Sequence, residues 1–260
     1  MSQGTTRPIF LASAAEVPQL REAIADHGCF VLRQLFDPAG LRRIRERADF
    51  VRRAWDYMID HGYTHDIEEY LAGVFRAGHL PETHIDVTTT WNDLTTGSLF
   101  DQIAAAVFGA TTRSYALRRS VLRGKQHLVQ FHQDAGFIGT EPWYNFWTPL
   151  QDCGGDAPGL EVVMGSGVPV VDFGKVNDPV RMETYVGRTY ASQAWWAPEL
   201  KAGDALVFTS MMFHRTQTGP NHTGMRYSLE IRGPIADRTL AIANVPSEWD
   251  RIDLISDVPV

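Results

Sequence analysis

The chain has 260 residues, 44% hydrophobic and 21% charged, with a formal net charge of −7; that is enough apolar content for a large core and rules out global disorder. The acidic balance, with no Lys/Arg run, disfavours nucleic-acid partners and a basic membrane-binding surface, and no apolar stretch approaches the roughly 20 residues that cross a bilayer. Cys29 and Cys153 are too few and too far apart for a disulfide framework or a thiolate zinc site.

Met1 to Pro8 lacks the apolar stretch of a signal peptide, so the expectation is a cytoplasmic protein, one domain over 1–260, with a small-molecule partner. Ser13–Glu16 fits a capping box ahead of Val17, Leu20 and Ile24 at helical spacing. Cys29–Leu32 reads as a short strand. Asp37-Pro38 opens a second helix through Leu41, Ile44, Ala48 and Val51. Residues 73–96, with His79, His84 and Trp91, have little periodicity and form a candidate substrate lid. Ser98 to Phe108 reads as a further helix, completing a helical scaffold over about 13–110.

From about Ser114 the pattern turns to β. Tyr115–Leu122, Leu128–Phe131, Tyr144–Leu150, Leu160–Met164, Ala205–Phe208 and Arg226–Arg232 are short apolar or alternating runs separated by Gly, Pro, Asn and Asp. No βαβ alternation appears. The predicted fold is mainly β with N-terminal helices: a jelly-roll or related barrel over about 114–233, followed by a tail over 234–260.

The chemistry concentrates in Phe131-His132-Gln133-Asp134 and Phe213-His214-Arg215. On a strand, His132 and Asp134 would point to the same face. Joined by His214, they would make a 2-His-1-carboxylate triad that leaves coordination positions open, as non-haem Fe(II) oxygenases require. A second H-x-D pair, His84/Asp86, means that spacing alone does not select the site. Within Arg226–Arg232, Arg226, Ser228, Glu230 and Arg232 alternate with Tyr227, Leu229 and Ile231. An inward guanidinium and hydroxyl, Arg226 and Ser228, would suit the far end of a dicarboxylate; an edge strand with a solvated Glu230–Arg232 pair is the plainer alternative. Phe137 and Trp143 border the loop after Asp134 and are candidate pocket walls. Arg118, Arg119 and Arg123 read mainly as solvated, and His127 and His222 as non-ligands.

The chain resembles the phytanoyl-CoA dioxygenase-like family of Fe(II)/2-oxoglutarate oxygenases. The resemblance is carried by His27–Arg33, Phe131–Asp134, Phe146–Leu150, Gly159–Ser166, Lys201–Phe208 and the stretch from His214 to Arg226. Gly167 stands where the family often has His after Gly-Ser. The resemblance implies a double-stranded β-helix with Fe(II) held by His132, Asp134 and His214. It also implies 2-oxoglutarate paired through its far carboxylate with Arg226, a Thr216 hydroxyl contacting that carboxylate, and Trp147 near the co-substrate. Ser228 is a candidate from strand geometry, and Arg232 and Arg215 remain alternatives to Arg226. The implied reaction consumes O2, converts 2-oxoglutarate to succinate and CO2, and hydroxylates or otherwise oxidises a small molecule such as a specialised metabolite. The retained Asp134 disfavours halogenation. A non-catalytic metal- or ligand-binding barrel and a cupin-like metal-dependent isomerase are the competing readings.

Overall fold

The computed structural model describes residues 7–62, 94–95, 98–109, 114–120, 130–135, 143–167, 171–172, 179–217, 219, 222, 226–237, 240 and 252–253. His84/Asp86, Phe137, Arg123, His127 and most of the candidate lid lie outside these residues.

Strand β1 (Ile9–Leu11) leads into a 3-10 turn, Ala14–Glu16, capped by the Ser13 hydroxyl, which accepts from the Ala15 amide at 3.2 Å. The serine predicted to cap the helix therefore caps this turn, and α1 (Val17–His27) follows with Leu20, Ala23 and Ile24 buried. Gly28 ends α1 at φ +73°, a left-handed conformation open to glycine. A Cβ there would also lie 2.7 Å from the Met212 methyl. The chain then enters β2 (Cys29–Arg33), which pairs parallel to β1.

Helix α2 (Pro38–Asp60) begins as expected, with both Asp37 carboxylate oxygens accepting amides, from Ala39 at 3.1 Å and Gly40 at 3.2 Å. It runs past Val51, beyond its sequence-based end. Helix α3 (Leu99–Phe108) buries Phe100, Ile103, Ala104, Val107 and Phe108.

The main sheet has six strands in the order β1-β2-β8-β4-β10-β3, with β3 Ser114–Ser120, β4 Trp143–Pro149, β8 Ala205–Thr209 and β10 Arg226–Pro234. Every pairing after β1–β2 is antiparallel. A second sheet has the order β7-β5-β9, with β5 Leu160–Val163, β7 Trp195–Trp196 and β9 His214–Thr216. A small third sheet pairs β6 (Val171–Asp172) with β11 (Ile252–Asp253). Helix α4 (Pro179–Thr189) lies between β6 and β7 in the chain.

Strand alternation sorts the side chains into layers. Phe30, Leu32, Tyr144, Phe146, Val207, Tyr227, Leu229 and Ile231 pack with α1, α2 and α3 on one face of the main sheet. Cys29, Val31, Trp147, Leu206 and Phe208 pack from the other face against Leu160, Val162 and Trp196 of the second sheet. The outer side of that sheet is covered by Met182 and Val186 of α4, with Phe131 and Phe213. Helices, sheet, sheet and helix thus stack in order.

The mainly β class with supporting helices is as predicted, but the closed barrel is not: among the described residues the strands form sheets that do not close. Among the described residues the second sheet has three strands against six, and no ladder joins its edges to the main sheet. The expected strand Leu128–Phe131 is likewise absent where described. Gln130 and Phe131 are irregular, and His132 makes an isolated antiparallel bridge to His214. Among the described residues no helix is long and apolar enough to cross a membrane.

Candidate metal centre

That bridge builds the site. The His132 amide donates to the His214 carbonyl at 3.0 Å and the His214 amide to the His132 carbonyl at 3.1 Å. The two rings are brought to 4.1 Å between centroids. After His132 the chain turns, with the Ala135 amide donating to the Ser210 carbonyl at 2.9 Å. Gln133 points away from its neighbours' side: its amide nitrogen donates to the Met211 carbonyl and its oxygen accepts from the Val171 amide. His132 and Asp134 therefore converge as strand alternation predicted, although a bridge followed by a turn, not a continuous strand, does the aiming.

Asp134 Oδ1 lies 3.7 Å from His132 Nε2 and 3.8 Å from His214 Nε2. Both separations fit within the roughly 4 Å that one ion with bonds near 2.1 Å can bridge. Among the described residues this is the one group of three or more metal-competent side chains, with ligand atoms all within 4.8 Å of one another. Each imidazole is also oriented from behind. His132 Nδ1 is 2.9 Å from the Gln130 carbonyl and His214 Nδ1 is 3.0 Å from the Met212 carbonyl. A carbonyl accepts only, so Nδ1 carries the proton and the Nε2 lone pair faces inward. Two imidazole nitrogens and one carboxylate oxygen form a donor set that fits Fe(II).

The electrostatics suit ligation. Burial, and then the neighbouring His132, pushes the His214 pKa down to about 3, so the ring is neutral at neutral pH. Burial alone would raise Asp134, but His214, Arg232, His132 and the Asn145 amide outweigh it and hold the carboxyl below its ordinary range. The His132 side chain is 15% exposed, against 5–6% for the other two.

The other sequence-predicted residues line the space between the sheets. Arg226, Ser228, Glu230 and Arg232 share the inner face of β10. This strand lies between β3 and β4, so it is no edge strand, though the Glu230–Arg232 pair is real at 2.7 Å. The buried Arg226 guanidinium donates to the Pro158 and Gly159 carbonyls and stacks 4.7 Å over the Trp147 ring. Burial lowers its pKa to about 10, leaving it charged at neutral pH. The Ser228 hydroxyl is fully buried with no hydrogen-bond partner among the described residues. Thr216 shares the His214 side of β9 and pairs with Leu160, next to the Gly159 that accepts from Arg226. Trp143 is half-buried at the start of β4, and His222 lies apart from the triad.

Arg215 points the other way. It is clamped by Glu161 at 2.6 Å and Glu183 at 2.8 Å, and it stacks 4.3 Å over Phe131. Arg232 contacts Asp134 at 3.1 Å. Sequence reasoning missed Asn145, whose amide donates to Asp134 at 3.3 Å. The available signal was its spacing of two from Trp147, which puts both on one face of β4.

Comparison with known proteins settles the family. Residues 24–226 match the family described as phytanoyl-CoA dioxygenase (PhyH). The chain belongs to the PhyH family. As a PhyH protein it is an enzyme of an oxidoreductase family, as the motifs led us to expect. No curated protein sequence matches it.

Solved structures share its fold at low identity. EvdO2 from Micromonospora carbonacea var. aurantiaca complexed with 2-oxoglutarate is 15% identical, with a TM-score of 0.50 over 88% of this chain and 96% of that one. The epimerase SnoN in complex with Fe3+, alpha ketoglutarate and nogalamycin RO is 15% identical, with a TM-score of 0.55 over 86% and 85%. The carbocyclase SnoK from nogalamycin biosynthesis is 12% identical, with a TM-score of 0.56 over 84% of each chain.

Proposed function

We propose that this PhyH protein is an Fe(II)- and 2-oxoglutarate-dependent oxygenase that oxidises a small molecule, with a specialised metabolite as the favoured substrate class. The carrying observation is the convergence of His132 Nε2, His214 Nε2 and Asp134 Oδ1 on one point, with both Nδ1 atoms already tied to carbonyls. The facing sheets and the placement of these residues support a double-stranded β-helix scaffold. Bound iron would supply the site for O2 and for 2-oxoglutarate, whose decarboxylation to succinate and CO2 accompanies substrate oxidation.

The chain's own residues divide the remaining work. His132, His214 and Asp134 hold the metal. Arg226 takes the far carboxylate of 2-oxoglutarate, with the Ser228 and Thr216 hydroxyls available to it and Trp147 as a wall. Arg226 is favoured over Arg215, which faces α4, and over Arg232, which contacts the metal-ligand candidate Asp134, because it is buried on the inner face of β10 over Trp147 and two residues from Ser228. Cys29, Val31, Leu206 and Phe208 on the same inner face keep water out.

The similarity to an epimerase and a carbocyclase supports a wider set of outcomes than hydroxylation, including stereochemical inversion and ring closure at a carbon that loses hydrogen. A cupin-like isomerase would need no buried arginine for a second carboxylate. An anaerobic titration of the full chain with Fe(II) and then 2-oxoglutarate tests the proposal. A weak visible charge-transfer band should appear for the native protein and be absent in His132→Ala and Asp134→Ala. Candidate metabolites should then trigger succinate release in air. Either variant retaining the band and full turnover would end this reading.

A further inference from the structure

We propose that Arg232 is a positioning residue that spans Glu230 and Asp134 and fixes which oxygen of Asp134 is offered to a metal. The inference rests on the metal-binding reading above and adds a role for residues of the main sheet that the ligand motif does not include.

The two carboxylate oxygens of Asp134 have different surroundings. Oδ2 lies 3.1 Å from a terminal nitrogen of Arg232 and accepts from Asn145 Nδ2 at 3.3 Å. Oδ1 faces His132 Nε2 and His214 Nε2 at 3.7 and 3.8 Å. Arg232 and Asn145 are direct cross-strand partners in the β10–β4 register, so one rung of the main sheet grips a single oxygen. The same Arg232 nitrogen is 2.7 Å from Glu230 Oε2, and Glu230 lies two residues back on the same face of β10. The guanidinium is thus held from its own strand while it reaches across to Asp134.

Asp134 needs such a hold more than its two co-ligands do. The histidines are fixed by a backbone bridge and by their Nδ1 bonds. Asp134 lies in the turn beyond the bridge, where no ladder orients it. A carboxylate free to rotate can offer both oxygens to a metal and occupy a position that a co-substrate needs. The Arg232 charge and the Asn145 amide on Oδ2 direct it to ligate through Oδ1 alone. Glu230 answers the guanidinium's charge, so Asp134, Glu230 and Arg232 together still present one net negative charge to a cation.

Anaerobic Co(II) titration of the full chain, read by visible absorption, measures the effect, with 2-oxoglutarate affinity measured on the Co(II)-loaded protein. Arg232→Met should weaken Co(II) about 10- to 100-fold, the usual loss for a group that supports a metal ligand. The metal-free melting temperature should fall, since two buried carboxylates lose the cation between them, so Co(II) affinity is compared on the folded variant, and Arg232→Lys should recover part of that affinity. If Arg232→Met does not fold, Asn145→Ser, which removes the amide that donates to Oδ2, should show the same weakening on a smaller scale. Native-like Co(II) affinity in the folded variants overturns the proposal. So does a loss confined to 2-oxoglutarate, which would make Arg232 a co-substrate contact. Failure of the native chain itself to bind Co(II) would instead remove the metal-binding reading on which this one stands.

Discussion

Arg226 is a permanent charge buried to 3% exposure, and burial of that kind is expensive unless the charge is hydrogen-bonded and has a counter-ion when it functions. Two backbone carbonyls and the Trp147 ring contribute to holding it. A 2-oxoglutarate carboxylate would add paired charge-assisted hydrogen bonds worth about 1.5–3 kcal/mol. Arg226→Met should therefore raise the KM for 2-oxoglutarate about 10- to 100-fold while leaving Co(II) affinity unchanged. Arg226→Lys should recover little, because an ammonium cannot reproduce the planar fork. Steady-state succinate assays beside metal titrations check both halves.

Strand β9 has three residues, and its alternation gives them separate duties: His214 and Thr216 face inward, while Arg215 faces α4. Arg215 joins Glu161, its cross-strand partner on β5, to Glu183 on α4. Glu183 also accepts from the Phe131 amide at 3.2 Å, one residue before His132. Arg215→Met leaves two half-buried carboxylates facing one another. It should lower stability by about 1–3 kcal/mol in urea unfolding without changing the KM for 2-oxoglutarate, the opposite signature to Arg226.

The legibility of these elements from sequence follows their length. Strands β4, β8 and β10 were located to within about two residues because five to nine residues are enough to show alternation or an apolar run. Strand β9 carries no periodicity of its own; pairing with β5 and the bridge to His132 create it. Strand β1 is equally short and depends on β2 for its existence. Helix α4 was not among the predicted elements, although Met182 and Val186 mark a buried face; eleven residues with a glycine inside carry little helical periodicity. The ligands were legible as residue types in order, and because a second H-x-D pair is present it was the accompanying family motifs, not the spacing, that selected His132 and Asp134. Arg232 shows the same limit: alternation put it on the inner face of β10, but only the register opposite Asn145 brings it to Asp134.

Across the whole molecule, the proposed ligands and their supports come from both sheets. His214 belongs to the second sheet and His132 is bridged to it, whereas Arg232 and Asn145 hold Asp134 from the main sheet. An ion at this centre would tie the layers together in the native state, and an unfolded chain, with its ligands 82 residues apart at the extremes, has no comparable site. Native-state binding then adds RT ln(1 + [L]/Kd) to stability, about 2.7 kcal/mol at a hundredfold excess over Kd. For a chain of this size each kcal/mol moves Tm by about 2–4 °C, so saturating Co(II) under anaerobic conditions should raise Tm by about 5–11 °C. A chelator should reverse the rise, and His214→Ala should show none of it. Arg215→Met should start from a lower Tm yet keep the full metal-dependent increment, because its ion pairs lie on the outer face of the second sheet and touch neither ligand's inward nitrogen. An increment lost with Arg215 would mean that anchoring to α4 is part of the metal site itself.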